Sequence, residues 1–136
     1  MTERTLCIFK PDLAAKPSNV ANALIRLLGL GLVPSHLERL TLTQAQAQAL
    51  YVAHVGQSYH QRNLEFVTSG PCVVMVLEGE FAVDRLRMTI GPTDPQKADP
   101  YHLRSVFGSE LPRNAFHASA TAREAESEIR IFFGGP

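Results

Sequence analysis

Tryptophan is absent from the 136 residues, and cysteine occurs only twice, as Cys7 and Cys72. Each cysteine lies in an apolar, strand-like run with no second Cys or His at metal-ligand spacing, which excludes a disulfide scaffold or a zinc cluster and reads as two buried free thiols. No apolar run approaches the roughly 20 residues that span a bilayer. The first twelve residues carry charges where a secretory leader needs an apolar stretch, so a soluble, cytoplasmic protein is expected. Neither sign of charge is in excess: 13 Lys plus Arg face 13 Asp plus Glu. That argues against a surface built for nucleic acid or acidic lipid in general. Glycine-rich phosphate loops of the GxxxxGK[ST] or GxGxxG kind are also missing, so any bound phosphate must be held by individual side chains.

What is present is ordinary globular material, 45% hydrophobic and 19% charged, enough for one domain over residues 1–136 with a core of its own. Residues 5–9 form a short apolar strand that stops where Pro11 cannot continue a ladder, leaving Lys10 at its end. Val20, Leu24, Leu27 and Leu28 recur at helical spacing before Gly29 and Gly31, predicting a helix over 20–30. Residues 32–42 read as a strand that Pro34 confines to an edge. Thr43 with Gln46 opens a helix reaching about His54, and Ser58 with Gln61 repeats that capping signature for a second one. A strand over 72–77 and a helix over 81–90 follow. The long loop 91–112 holds Pro92, Pro95, Pro100 and Pro112. A strand over 115–119 leads to a last helix, capped by Thr121 with Glu124. The order predicts a βαββαβ plan in the α+β class, a small sheet covered by helices.

Two features point to chemistry. The stretch 85–113 is modestly basic in a neutral chain, and arginine's rigid fork of donors suits phosphate oxygens. Thr93 adds a hydroxyl there, held between Pro92 and Pro95. The second feature is His117, which sits in a short strand directly before a capped helix. A neutral imidazole can accept a phosphoryl group if a neighbour holds its other nitrogen as a donor, and Glu128 stands within reach along the last helix. His36, His54, His60 and His102 read as structural or surface residues.

Together these residues resemble the nucleoside diphosphate kinases over nearly the whole chain. The resemblance rests on Lys10-Pro11-Asp12, Thr68-Ser69-Gly70-Pro71, Leu77-Glu78-Gly79, Gly91-Pro92-Thr93-Asp94-Pro95, Arg104-x-x-Phe107-Gly108 and Arg113-Asn114-x-x-His117. It implies a ferredoxin-like, four-stranded antiparallel sheet. It also implies a ping-pong reaction in which a nucleoside triphosphate phosphorylates His117 on its pros nitrogen and the phosphohistidine then phosphorylates a diphosphate. Lys10, Tyr51, Arg87, Thr93, Arg104 and Asn114 fall on positions that hold the phosphates, the transferring group or the ribose. Tyr59 falls where a ring stacks on the base, which would admit purines and pyrimidines alike. Ser119 and Glu128 fall where the nucleophile is oriented. Mg2+ is expected to be carried mainly by the nucleotide, with no direct protein ligand, and a homo-oligomer (dimer, tetramer or hexamer) of the shorter bacterial kind is implied.

The chain departs from the family pattern at several places. His-Gly-Ser-Asp-Ser becomes His117-Ala118-Ser119-Ala120-Thr121, and Arg-Gly-Asp-Phe becomes Arg104-Ser105-Val106-Phe107. Gln57 stands for an arginine, Asn63 for a leucine of the nucleotide cleft, and Lys16-Pro17-Ser18-Asn19 for a turn one residue shorter. None of these removes a residue of the phosphoryl-transfer set. The alternative weighed beside the kinase is a non-catalytic nucleotide-binding module on the same scaffold. RNA binding on a ferredoxin-like sheet lacks the basic stripe with interleaved aromatics that it would need.

Overall fold

Apolar side chains on both sides of two adjacent strands require cover on both faces of the sheet, and the chain supplies it. The computed structural model describes residues 2–134. Its sheet is antiparallel throughout, in the order β2-β3-β1-β4, from β1 (Thr2–Phe9), β2 (Val33–Leu40), β3 (Cys72–Glu80) and β4 (Phe116–Ala118). On one face Phe9, Val73, Met75 and Leu77 pack with Leu27 of α2 (Pro17–Leu28) and with Leu86 and Ile90 of α5 (Ala82–Ile90). On the other, Leu6, Ile8, Val74 and Val76 meet Leu50 of α3 (Gln44–Leu50), Leu64 of α4 (His60–Val67) and Ile129 of α7 (Ala122–Phe133). This is the ferredoxin-like βαββαβ arrangement. Cys7 and Cys72 are buried free thiols in different clusters, and burial pushes each up to about 12.

Local signals set most boundaries. Thr43 and Gln46 form the reciprocal capping box, with both bonds 3.0 Å long. Thr121 accepts from Glu124 N at 3.1 Å and starts α7. Pro34 does lie on an edge strand, next to a bulge between Pro34 and His36.

Several expectations give way. The Ser58 box does not form: His60 N donates to the Gln57 carbonyl in a turn, and α4 begins after Tyr59 with no side-chain cap. Gln61 instead donates to Glu65. Helix α3 ends at Leu50, and the chain tightens into a 3-10 turn at Val52–His54. Helix α2 starts earlier than its apolar spacing suggests, because Pro17 is pre-set for a first helical position. Leu28 points largely outward, at 40% exposure, and buried Ala23 takes its place in the stripe. Two short helices escape any periodicity test: α1 (Pro11–Ala14), and α6 (Leu103–Phe107) inside the 91–112 loop. Leu103, fully buried, anchors that loop to the core.

Strand β4 is shorter than expected because Ala115 leaves the extended region, at φ 69°. Phe116 secures the strand, its ring meeting Phe9 edge-on at 5.4 Å, an arrangement worth about 0.5–1.5 kcal/mol beyond burial. The pairing of Phe9 with Phe116 and Ile8 with His117 brings the end of β1 and the start of β4 side by side. Lys10 and His117, remote in sequence, therefore share one end of the sheet.

Candidate active site

At that end a cavity of about 570 Å³ opens between β1, β4, α5 and the helix-turn segment 50–63. All the expected nucleotide contacts, Lys10, Tyr51, Tyr59, Arg87, Thr93, Arg104 and Asn114, line it, as do His117 and Glu128. Ser119 lies behind them, fully buried.

Among the described residues, His117 is held by a hydrogen bond from one side only. Its Nε2 lies 2.8 Å from Glu128 Oε1, the same oxygen accepts from Ser119 Oγ at 2.7 Å, and Ser119 Oγ accepts from Leu6 N at 3.3 Å. Burial works against the Glu128 carboxylate, but His117 and the Ser119 hydroxyl outweigh it and hold the carboxyl below its ordinary range. An ionised carboxylate can only accept, so the proton of a neutral imidazole resides on Nε2 and the Nδ1 lone pair is left free. Tyr51 packs edge-on to the imidazole, with ring centroids 6.1 Å apart.

The cationic groups are anchored by the backbone they help to fold. Lys10 is buried at the β1 terminus, and its Nζ donates to Asn114 Oδ1 at 2.8 Å. Asn114 Nδ2 in turn donates to the Thr93 carbonyl at 2.9 Å. Burial pushes the Lys10 ammonium down to about 8, the Arg104 charge adds to this, and Asp12 opposes it. Arg104 donates to the carbonyls of Gly91 and Phe116 at 2.8 and 2.9 Å, which leaves further N–H groups of its fork for a ligand, while its buried Nε has no partner among the described residues. Burial and the neighbouring Arg87 bring Arg104 down to about 10. Gly91 has to be glycine here: its φ is 91°, and a Cβ would lie 2.5 Å from His102 Cγ. The Tyr51 hydroxyl is buried without a partner among the described residues, and burial raises its pKa, so the phenol stays protonated.

A nucleoside diphosphate kinase family profile matches residues 3–135. The chain belongs to the nucleoside diphosphate kinase family. It is 41% identical to the nucleoside diphosphate kinase of Wolinella succinogenes over 134 residues, covering 98% of this chain and 96% of the relative. Among solved structures, the nucleoside diphosphate kinase of Aquifex aeolicus superposes with a TM-score of 0.93 at 38% identity, covering 99% of this chain and 97% of that one. A halophilic nucleoside diphosphate kinase from Halobacterium salinarum, solved in complex with CDP, gives 0.92 at 31% identity, covering 98% and 88%.

Beside the family positions the cavity holds residues that the sequence reading passed over. His54 is one: its Nδ1 lies 3.1 Å from the Tyr59 hydroxyl, so it lines the cavity and is not merely a surface residue. Leu111 and Glu124 line it as well. No sequence signal places these three at the cavity, Glu124 being marked only as part of a helix cap, because each comes from a segment whose approach to β4 depends on the packed fold. Of the departures from the family pattern, Asn63, Ala118 and Ala120 face the cavity. Val106 instead lines a separate groove between α2 and α6. The other basic residues of the 85–113 stretch point elsewhere. Arg85 donates to the Leu30 and Glu80 carbonyls, and the Arg113 guanidinium lies 5.5 Å from the centre of the Phe66 ring.

Proposed function

We propose that the protein, acting as a single catalytic domain, transfers the terminal phosphoryl group of a nucleoside triphosphate to a nucleoside diphosphate through a phosphohistidine on His117. The observation that carries this reading is the hydrogen-bonded run Leu6–Ser119–Glu128–His117, which ends on a free Nδ1 in the cavity that holds Lys10, Arg87 and Arg104. In the first half-reaction Nδ1 attacks the γ-phosphorus. The P–N bond forms, the bond from that phosphorus to the β–γ bridging oxygen breaks, and the diphosphate leaves with the electron pair. Positive charge developing on the imidazole is stabilised by Glu128, which keeps its hydrogen bond to Nε2–H throughout. A second diphosphate reverses the steps. Transfer of this kind needs charge neutralised on the phosphoryl oxygens and the reacting atoms held in line. Lys10, Arg87 and the spare Arg104 donors supply the first requirement, and Asn114, Thr93 and Tyr51 help with the second.

The donors free in the cavity are mainly ammonium, guanidinium, amide and hydroxyl groups, which suit phosphate oxygens better than a divalent cation. Mg2+ would therefore be carried by the nucleotide and not by protein ligands, and bound there it would offset part of the phosphate charge beside Lys10, Arg87 and Arg104. Tyr59 and Leu111 both line the cavity, and an aromatic ring and an apolar side chain suit the face of a base. A cytoplasmic setting goes with the two free thiols.

The test is a phosphoenzyme experiment. Protein incubated with γ-labelled ATP and Mg2+ acquires acid-labile, alkali-stable label that chases onto an added diphosphate. A non-catalytic nucleotide-binding module would bind the nucleotide and stay unlabelled.

We also propose a homo-oligomer assembled through β2. This edge strand exposes Val33 at 61% and Leu37 at 50%, and its outer edge pairs with no strand among the described residues. An apolar edge of this length invites another strand, and antiparallel pairing of β2 with its own copy about a two-fold axis satisfies both chains. Sedimentation velocity is expected to show a multiple of 14.9 kDa, reduced by Leu37→Lys. A monomeric wild type overturns this.

A further inference from the structure

The chain makes a costly turn between two residues of the site. Ala115, fully buried, has φ 69°, a left-handed conformation that a non-glycine residue adopts only at an energetic cost. Phe116 N donates to the Asn114 carbonyl at 2.8 Å, closing a γ-turn around Ala115 of the strained, positive-φ kind. Asn114, bonded to Lys10, opens the turn, and two residues after Ala115 stands His117. This one turn therefore sets the aim of the imidazole relative to the Lys10–Asn114 pair.

The sheet cannot hold the turn by itself. The ladder between β1 and β4 ends with the pairing of Phe9 and Phe116, so Ala115 lies just beyond it. Both polar groups of Ala115 are instead met by the segment that follows β1. Lys10 N donates to the Ala115 carbonyl at 2.7 Å, and Ala115 N donates to Asp12 Oδ2 at 3.0 Å. The first of these is a backbone contact that many sequences could make. The second needs a carboxylate or amide oxygen two residues after Lys10.

We propose that Asp12 is a positioning residue for phosphoryl transfer. Its carboxylate holds the Ala115 γ-turn and thereby aligns His117 Nδ1 with a phosphate held at Lys10 and Asn114. The inference rests on the phosphohistidine reading above. Asp12 does not touch the reacting atoms in this arrangement, so its loss acts on the rate of transfer more than on binding.

The experiment compares Asp12→Ala, Asp12→Asn, Ala115→Gly and the double variant Asp12→Ala/Ala115→Gly in the full chain. It measures the single-turnover rate of His117 phosphorylation, the dissociation constant for ADP and the melting temperature. Asp12→Ala is expected to slow phosphorylation about 10–100-fold, the scale of a small misalignment of reacting groups, with ADP affinity changed less than about threefold. Asp12→Asn keeps an acceptor oxygen and stays near the wild-type rate. Glycine takes positive φ readily, so the double variant is expected to regain most of the loss. A purely structural Asp12 would lower the melting temperature without this rescue. If Asp12→Ala does not fold, Asp12→Ser, too short to reach Ala115 N, takes its place. The inference is overturned if the rate is unchanged, if ADP affinity falls in step with it, or if Ala115→Gly restores nothing. A wild-type protein that takes no label on His117 sinks the phosphohistidine reading instead, so the two failures are distinct.

Discussion

Replacing His117 with asparagine is expected to lower turnover by roughly 10⁴-fold or more, the scale seen when a covalent nucleophile is removed, and to leave ADP binding within about threefold. The size of the loss follows from what else the cavity offers. The Lys10 ammonium is committed to Asn114, and the Tyr51 phenol is raised by burial and stays protonated. His54, the other imidazole, has its Nδ1 engaged with the Tyr59 hydroxyl. Neither Glu128 nor Ser119 is free, since each already belongs to the hydrogen-bonded run behind His117. Glu128 Oε1 keeps its bond from Ser119 Oγ in the variant, so the carboxylate is not left unpaired. A coupled assay of phosphate exchange between ATP and a second diphosphate measures the effect. Residual activity above about 1% of wild type, with label on the variant, would make a different group the phosphoryl carrier.

Lys10→Gln is expected to lower kcat/KM by about 10²–10³-fold, the range for removal of one preorganised donor facing developing charge. Asn114 keeps its bond to the Thr93 carbonyl in the variant, so its amide stays held and the loss reports the missing charge. The same residue makes binding pH-dependent. In the free protein burial and Arg104 bring Lys10 to about 8, so near pH 9 most molecules hold it neutral. A polyphosphate favours the ammonium and raises its pKa, so binding above pH 8 takes up a proton, and affinity falls as pH rises until the bound-state pKa is passed. Asp12, Tyr51 and Arg104 surround the amine, but Tyr51 and Arg104 hold their protons at this pH and Asp12 stays ionised. Titration calorimetry of ADP at pH 8.5–9 in buffers of different ionisation heat is expected to show uptake approaching one proton in wild type and none in Lys10→Gln. Equal heats after buffer correction in both proteins would remove Lys10 from the phosphate site.

The parts of the molecule legible without coordinates were those governed by neighbours in the chain. The central strands show as apolar runs, Thr43–Gln46 as a capping box, and Pro34 as a mark of an edge. The Ser58 signature has the same residue spacing and fails, because the turn through Gln57 and His60 competes for that stretch. Helix α6 could not be read, since five residues are too few to display a period and its anchor is one buried leucine. Within the candidate site, short motifs pointed to Lys10, Thr93, Arg104, Asn114 and His117. His54, Leu111 and Glu124 carry no such mark.

By itself the sequence determined the chemical groups and the order in which the chain presents them: an imidazole, a lysine, arginines and a carboxylate in a neutral protein. Which of these groups meet, and in what state, follows from the packing of distant segments. A sheet that sets Phe9 opposite Phe116 brings Lys10 to Ala115 and so to Asn114. Burial then moves Lys10 down to about 8, while the packing of α7 against β1 brings Glu128 onto the Nε2 side of His117. Such effects depend on distance and desolvation. Neither is a property of neighbouring residues in the chain, and both arise only when distant segments exclude water together.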